Sequence, residues 1–203
     1  MITTEMIKSI IEYNRECGID YDPQPLHIRI PFAKESLQLV LSEVIHHEVK
    51  WLPQYDEVAK WLADNHGKSL ILLGPPGVGK TEIAMKAIPL LFHCVLKKIV
   101  SRYKATDICR EEIYRSLMHN DLIVIDDFGI EGMYNDYGNP HIVFSEVVDN
   151  IECKGGLLIA TTNLTLDEIH IKYGLRTIDR LRGNTKLVVF TEESMRGMYE
   201  KVY

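Results

Sequence analysis

From Trp51 onward, short apolar runs alternate with amphipathic stretches at helical spacing. The runs at residues 70–73, 98–101, 122–125, 157–161 and 187–190 predict five strands. They are nearly continuous in apolar character rather than alternating, as expected of parallel strands covered by helices on both faces. Between them the spacing predicts a helix around residues 55–66, ended by Gly67, and another from Thr81 to about Phe92. A single further helix fits between Tyr103 and Asp121. Strands alternating with helices give the α/β class, with a parallel five-stranded sheet flanked by helices.

The first fifty residues read differently. Thr3 or Thr4 is placed to cap a helix carrying Met6, Ile7, Ile10 and Ile11, with Gly18 ending it. Three prolines between Tyr21 and Pro31 predict extended or irregular chain. Leu37, Val40, Leu41, Val44 and Ile45 then fall at the spacing of a second amphipathic helix. The expected division is a helical N-terminal appendage at residues 1–50 and a main domain at 51–203. Such an appendage either packs onto the main domain or docks a partner.

A chain of 203 residues, 46% hydrophobic and 26% charged, fits one soluble domain with a real core. Its net charge of −6 excludes a protein that wraps nucleic acid by charge alone, because neutralising phosphates takes a surplus of Lys and Arg. A local basic stripe remains open, and Lys97, Lys98, Arg102, Lys104, Arg110 and Arg115 are the densest candidate, with Tyr103 available for base stacking. Interleaved acids make a solvated face the plainer reading of any one of them. No apolar run approaches the ~20 residues that cross a bilayer, and the N-terminus lacks the basic-then-apolar order of a secretory signal. Cys17, Cys94, Cys109 and Cys153 show no C-x-x-C spacing, which points to reduced thiols rather than a zinc or disulfide framework. These features predict a cytoplasmic protein without a membrane partner.

The chemistry begins after the first predicted strand. Gly74-Pro75-Pro76-Gly77-Val78-Gly79-Lys80-Thr81 satisfies G-x-x-x-x-G-K-[ST] with a strand before it and a helix after it. In that setting backbone N–H groups turn inward around phosphate oxygens, and the following helix aims its positive end at the same charge. Lys80 is placed to reach the β- and γ-phosphates of ATP and the Thr81 hydroxyl to ligate Mg²⁺. The apolar run at 122–125 then delivers Asp126 and Asp127 at its C-terminal end. Asp126 fits a carboxylate that holds Mg²⁺. Asp127 is placed to orient or deprotonate an attacking water, although its side chain is shorter than the Glu many ATPases use. Asn163 ends the next apolar run, and taken alone it reads as readily as a helix cap, since Leu164-Thr165-Leu166-Asp167-Glu168 could start a helix.

The segment Tyr173 to Asn184, with Gly174, Arg176 and Asp179-Arg180-Leu181-Arg182, resembles the G-x-R-x-x-D-R-[LM]-R stretch of DnaC/DnaI-type replicative helicase loaders. These are AAA+ ATPases, and the group also holds the IstB-type ATPases of transposition. The likeness runs from about Trp51 to Arg196, with four motifs in order. It implies a P-loop NTPase of the AAA+ kind without a helical lid, in which Asn163 is sensor 1 and Arg180 is the arginine finger that reaches a neighbour's γ-phosphate. It also implies a sensor 2 role for Arg196, and makes Arg176 and Arg182 weaker candidates for the same interface. The chain departs from the group in having one helix, not two, between its second strand and Asp126, and a shorter N-terminal segment.

What the resemblance implies is an ATP-hydrolysing protein of DNA replication: a helicase loader that self-associates through Arg180 and acts with a replicative helicase and single-stranded DNA. A transposition helper ATPase with a transposase partner is the alternative, and a nucleotide-gated adaptor that hydrolyses little is another. A small-molecule P-loop kinase would show no dependence on Arg180. The loop at 129–140, rich in Gly, Asn and Tyr, reads as either a mobile segment or a plain surface loop. His46-His47-Glu48 lacks H-E-x-x-H spacing and predicts no metal site.

Overall fold

The alternation of side chains along each strand sorts this protein into two cores, one on each face of a single sheet. The structure is a computed structural model that describes residues 2–19, 21, 23–45, 49–136 and 138–191. The helices are α1 (Thr4–Glu16), α2 (Ala33–Ile45), α3 (Pro53–Ala63), α4 (residues 82–96), α5 (Glu111–His119), α6 (Val143–Lys154) and α7 (Leu166–Asn184). The strands are β1 (Ser69–Leu73), β2 (Ser101–Lys104), β3 (Leu122–Asp126), β4 (Tyr134–Asp136), β5 (Asn139–His141), β6 (Leu157–Thr162) and β7 (Thr185–Val189).

Five strands form one parallel sheet in the order β2-β3-β6-β1-β7. Leu70 and Leu72 of β1 face one side and belong to the core that also holds Val58 and Leu62 of α3, Ile83 to Phe92 of α4, and Leu37 and Leu41 of α2, which packs on α3 and α4. Ile71 and Leu73 face the other, against Leu117 of α5, Val147 and Ile151 of α6 and Ile178 and Leu181 of α7. The α/β class, the five parallel strands and the flanking helices are as the apolar runs predict.

The two helices of the first fifty residues behave differently. Helix α1 is capped by Thr3, whose hydroxyl accepts the Met6 N–H at 3.2 Å, and it buries none of its residues. Ile28, Ile30, Ala33, Leu37 and Leu41, by contrast, are buried in the core beneath β1 and α4. Asn65 fastens this segment from below, accepting the Ile28 N–H and donating to the Leu26 carbonyl, both at 2.9 Å.

Helix α4 runs past the predicted end at Phe92. Its turns are widened to the π type in Glu82–Ala87 and Phe92–Leu96, with one α-helical turn at Ile88–Leu91 between them. Pro89 has no N–H to give the Met85 carbonyl four residues back, and the Arg102 guanidinium bonds that carbonyl instead at 3.1 Å. The longer helix, ended by Lys97 in a left-handed conformation (φ 56°), pushes β2 three residues beyond the predicted 98–101. As an edge strand β2 alternates half-buried and exposed positions, a pattern that a search for continuous apolar runs passes over.

The expected loop at 129–140 holds β4 and β5 as an antiparallel pair, with Tyr134 stacked on Tyr114 of α5 at 4.7 Å between ring centroids. Among the described residues no helix is long and apolar enough to cross a membrane.

Candidate functional site

Strand order decides where the chemistry collects. Because β6 lies between β1 and β3, the loops leaving the C-terminal ends of these three strands share one crevice, the place where ligands bind in open parallel sheets. The phosphate loop leaves β1, Asp126 and Asp127 end β3, and Asn163 follows β6.

The loop starts at Gly74 with φ 139°, and a Cβ there would lie 2.4 Å from the Phe190 carbonyl oxygen, so only glycine fits against the end of β7. Lys80 is only 5% exposed. Its ammonium donates to the carbonyls of Gly74 (2.6 Å) and Pro75 (2.8 Å) and to Asn163 Oδ1 (2.9 Å). The backbone of Val78 is steadied from outside the loop by the Tyr55 hydroxyl at 3.4 Å.

The Thr81 hydroxyl lies 3.0 Å from Asp126 Oδ1, to which it donates. Thr161 on β6 donates to the same oxygen at 2.6 Å and accepts the Asp127 N–H at 2.8 Å. A hydroxyl and a carboxylate oxygen converging at a strand end are hard oxygen donors of the kind Mg²⁺ takes together with phosphates and waters, so Thr81 and Asp126 fit that ion.

Asp127 adopts a left-handed backbone (φ 57°), uncommon for a residue with a Cβ, and Asn163 Nδ2 reaches its Oδ1 at 3.4 Å. Asn163 does not cap α7. Thr165 does, in a reciprocal capping box with Glu168 whose carboxylate accepts the Thr165 N–H at 2.8 Å. The Asn163 amide therefore bridges Lys80 and Asp127.

Sequence reasoning passed over the groups that hold this turn in shape. Glu131 is a buried carboxylate, 6% exposed, that accepts the Gly129 N–H at 2.6 Å and the Tyr173 hydroxyl from α7. Burial and this carboxylate push the Tyr173 phenol far above its usual pKa, so the hydroxyl stays protonated and donates. Lys172 bonds the carbonyls of Gly129 and Glu131. The turn after Asp127 is thus clamped to the first part of α7, before its break at Gly174 (φ 80°, ψ 172°), and Arg180 lies on the part beyond that break. The sequence carries little sign of this, since Glu131 is one of two acids, with Asp136, in a Gly-rich loop without basic residues.

Arg180 sits away from this crevice, with Gly155, Ser69 and Thr185 near the N-terminal ends of the strands. Its guanidinium is paired with two acids of α6: Nη1 contacts Asp149 and Nε lies 2.9 Å from Glu152. Arg176 joins Asp149 at 2.9 Å. The partners are these α6 carboxylates, not the neighbouring Asp179. Arg196 and His46-His47-Glu48 lie outside the described residues.

Tyr103 is not presented for stacking. Its ring packs against the core and its hydroxyl is engaged by Ser116 (2.8 Å) and Asn120 (2.9 Å). Arg110 and Arg115 pair with Asp107 and Glu111 on their own segment, which leaves less unmatched positive charge there than the sequence alone suggests.

Residues 57–201 match the family described as IstB-like ATP binding protein. The chain belongs to that family. Among solved structures this IstB-like chain is similar to DnaI, with 16% identity and a TM-score of 0.58 over 80% of this chain and 93% of that one. It is similar to a primosome component from Streptococcus pyogenes serotype M3, with 15% identity and a TM-score of 0.50 over 83% of this chain and 86% of that one. It is also similar to AMPPCP-bound DnaA from Aquifex aeolicus, with 16% identity and a TM-score of 0.52 over 73% of this chain and 50% of that one. No curated protein sequence matches it significantly. These likenesses show a shared P-loop α/β fold, and the family, described as ATP binding, establishes nucleotide binding.

Proposed function

We propose that this IstB-like protein hydrolyses ATP and uses the cycle to assemble and act on a DNA-handling partner. The observation that supports this most is the unbroken chain of contacts from Thr81 through Asp126, Thr161, Asp127 and Asn163 to Lys80. The phosphate-loop, strand-end and amide groups expected around a γ-phosphate are thereby tied to one another.

In this reading the phosphate loop binds ATP, and phosphate oxygens exchange with the Gly74 and Pro75 carbonyls as acceptors for Lys80. Mg²⁺, held by Thr81 and Asp126, would supply neutralisation of the phosphate charge. Asp127 orients the attacking water and draws its proton, with Asn163 fixing the carboxylate in place. The oxygen attacks the γ-phosphorus, and the bond to the β-phosphate oxygen breaks to leave ADP. Arg180 cannot serve its own site from the far end of the strands. It acts on a neighbouring subunit, where a forked, permanent cation stabilises the transferring phosphoryl group. Leaving Asp149 and Glu152 is then part of assembly. Arg196 is proposed to contact the nucleotide from the C-terminal segment.

The first-choice role is loading a replicative helicase onto single-stranded DNA, supported by the shared architecture with DnaI. A transposition helper is the second reading, favoured by the IstB-like family match. Any hold on DNA is weak in one subunit and accumulates on assembly, given the net charge of −6. Lys80→Ala tests the site itself: nucleotide binding should be lost, and unchanged binding would refute the assignment. Recovering what co-purifies with the tagged chain from its host in ATP separates the roles, since a hexameric helicase supports the first and a transposase the second.

A further inference from the structure

On the face of the domain away from the nucleotide crevice, three potential metal ligands come together from two segments distant in sequence. His27 lies in the extended stretch before α2, and Asp64 and His66 lie in the turn between α3 and β1. His27 Nε2 is 2.6 Å and His66 Nδ1 3.2 Å from the same Asp64 Oδ1, and the three ligand atoms all lie within 4.8 Å of one another. We propose that His27, Asp64 and His66 form a binding site for a borderline transition-metal ion of the Zn²⁺ class.

The donor set selects the ion. Two imidazoles and one carboxylate suit zinc, whereas Mg²⁺ and Ca²⁺ take oxygen ligands almost exclusively. A tetrahedral Zn²⁺ with bonds near 2.0–2.2 Å needs its ligands about 3.4 Å apart. The His27–Asp64 pair therefore opens from 2.6 Å and the His66–Asp64 pair from 3.2 Å, while the two imidazole nitrogens, within 4.8 Å of each other, settle to the same spacing, with water as the fourth ligand. The side chains have room for this, being 46% exposed at His27 and 78% at His66.

Their backbones are held in place. Asn65, between two of the ligands, binds the Ile28 N–H and the Leu26 carbonyl on one side and the Gly67 N–H on the other. The Asp64 carboxyl lies well below its usual pKa because it bonds His27 and the His66 N–H. Arg29 takes the other oxygen, Oδ2, at 3.0 Å, so an ion would meet Oδ1 alone, alongside the His66 backbone N–H that this oxygen accepts at 2.9 Å. An ion here staples the segment leading to α2 onto the turn entering β1, and so braces the packing of α2 from outside the core.

The test is zinc uptake by the metal-stripped full chain, read by competition with a chromophoric chelator, with Mg²⁺ and ADP in excess to occupy the phosphate loop. The comparison variant is His27→Ala with His66→Asn, since asparagine tolerates the left-handed backbone of His66 (φ 50°). One ion per chain is expected in the wild type, with at least about tenfold weaker binding in the variant. Co²⁺ should give tetrahedral visible bands without the sulfur charge-transfer band that cysteine ligation produces. Arg29→Ala, which removes a competing cation, should tighten binding. No uptake by the wild type, a smaller loss in the double variant, or a sulfur band that persists in it would overturn the proposal.

Discussion

Thr161 and Asp126 share a 2.6 Å hydrogen bond in which the fully buried hydroxyl of β6 donates to the carboxylate that ends β3. The same hydroxyl accepts the Asp127 N–H, so one side chain sets both acids of the crevice. Thr161→Val keeps the shape and removes both bonds. Leaving a buried N–H unsatisfied costs about 1–3 kcal/mol, and a domain of this size should melt roughly 2–4 °C lower for each 1 kcal/mol lost. ATP turnover should fall more than nucleotide affinity, because Asp127 loses its anchor while the phosphate loop is untouched. Thr161→Ser should restore both, as measured by thermal melting and steady-state kinetics.

Glu131 and Tyr173 make a second prediction. Tyr173→Phe strips a donor from a buried carboxylate and loosens the turn that presents Asp127. A hydrogen bond to a charged group contributes about 1.5–3 kcal/mol, and 1.36 kcal/mol corresponds to tenfold in rate. Turnover should drop about tenfold or more with ATP affinity nearly unchanged. Equal losses in both would mean that the pair acts only through global stability.

The first fifty residues should divide under truncation. Removing residues 1–18 takes away only α1, which buries nothing, and the melting temperature should hold. Leu41→Ala should cost about 2–5 kcal/mol, because Leu41 is fully buried in the core that α2 shares with α3 and α4, and truncating it leaves a cavity there. Denaturant unfolding of the two variants checks both expectations.

Acid stability should follow Glu57, which joins α3 to β7. Its carboxylate bonds Lys186 at 2.7 Å and Lys60 at 2.6 Å, and these ammonium groups lower its pKa from 4.5 to about 2. The folded pKa is below the unfolded one, so the unfolded chain binds more protons within that window. The stabilisation is present above about pH 4.5 and is lost as pH falls toward 2. Glu57→Gln should flatten this part of a melting-temperature profile against pH.

How much of this was legible in the sequence follows from how local each signal is. The phosphate loop and the Asp126-Asp127 pair are contiguous, and their flanking strand and helix are periodic, so pattern alone placed them. Asn163 was ambiguous until Thr165 proved to be the cap of α7. Thr161, Glu131 and Tyr173 carry no motif, because their roles arise from partners 35 and 42 residues away in sequence. Strand β2 was misplaced because an edge strand with one covered face alternates. The burial of Leu37 and Leu41 was hidden because an amphipathic helix looks the same whether its apolar face meets its own domain or a partner.

The proposal that Arg180 completes a neighbour's site is tested most directly by mixing two defective chains. Asp127→Asn keeps Arg180 but lacks the carboxylate that orients water, and Arg180→Ala keeps an intact crevice but lacks the cation. Each alone should bind ATP and turn it over near background. Mixed in equal amounts, they should recover turnover, because the first chain presents Arg180 to the second chain's site. A mixture no more active than its separate components would contradict it.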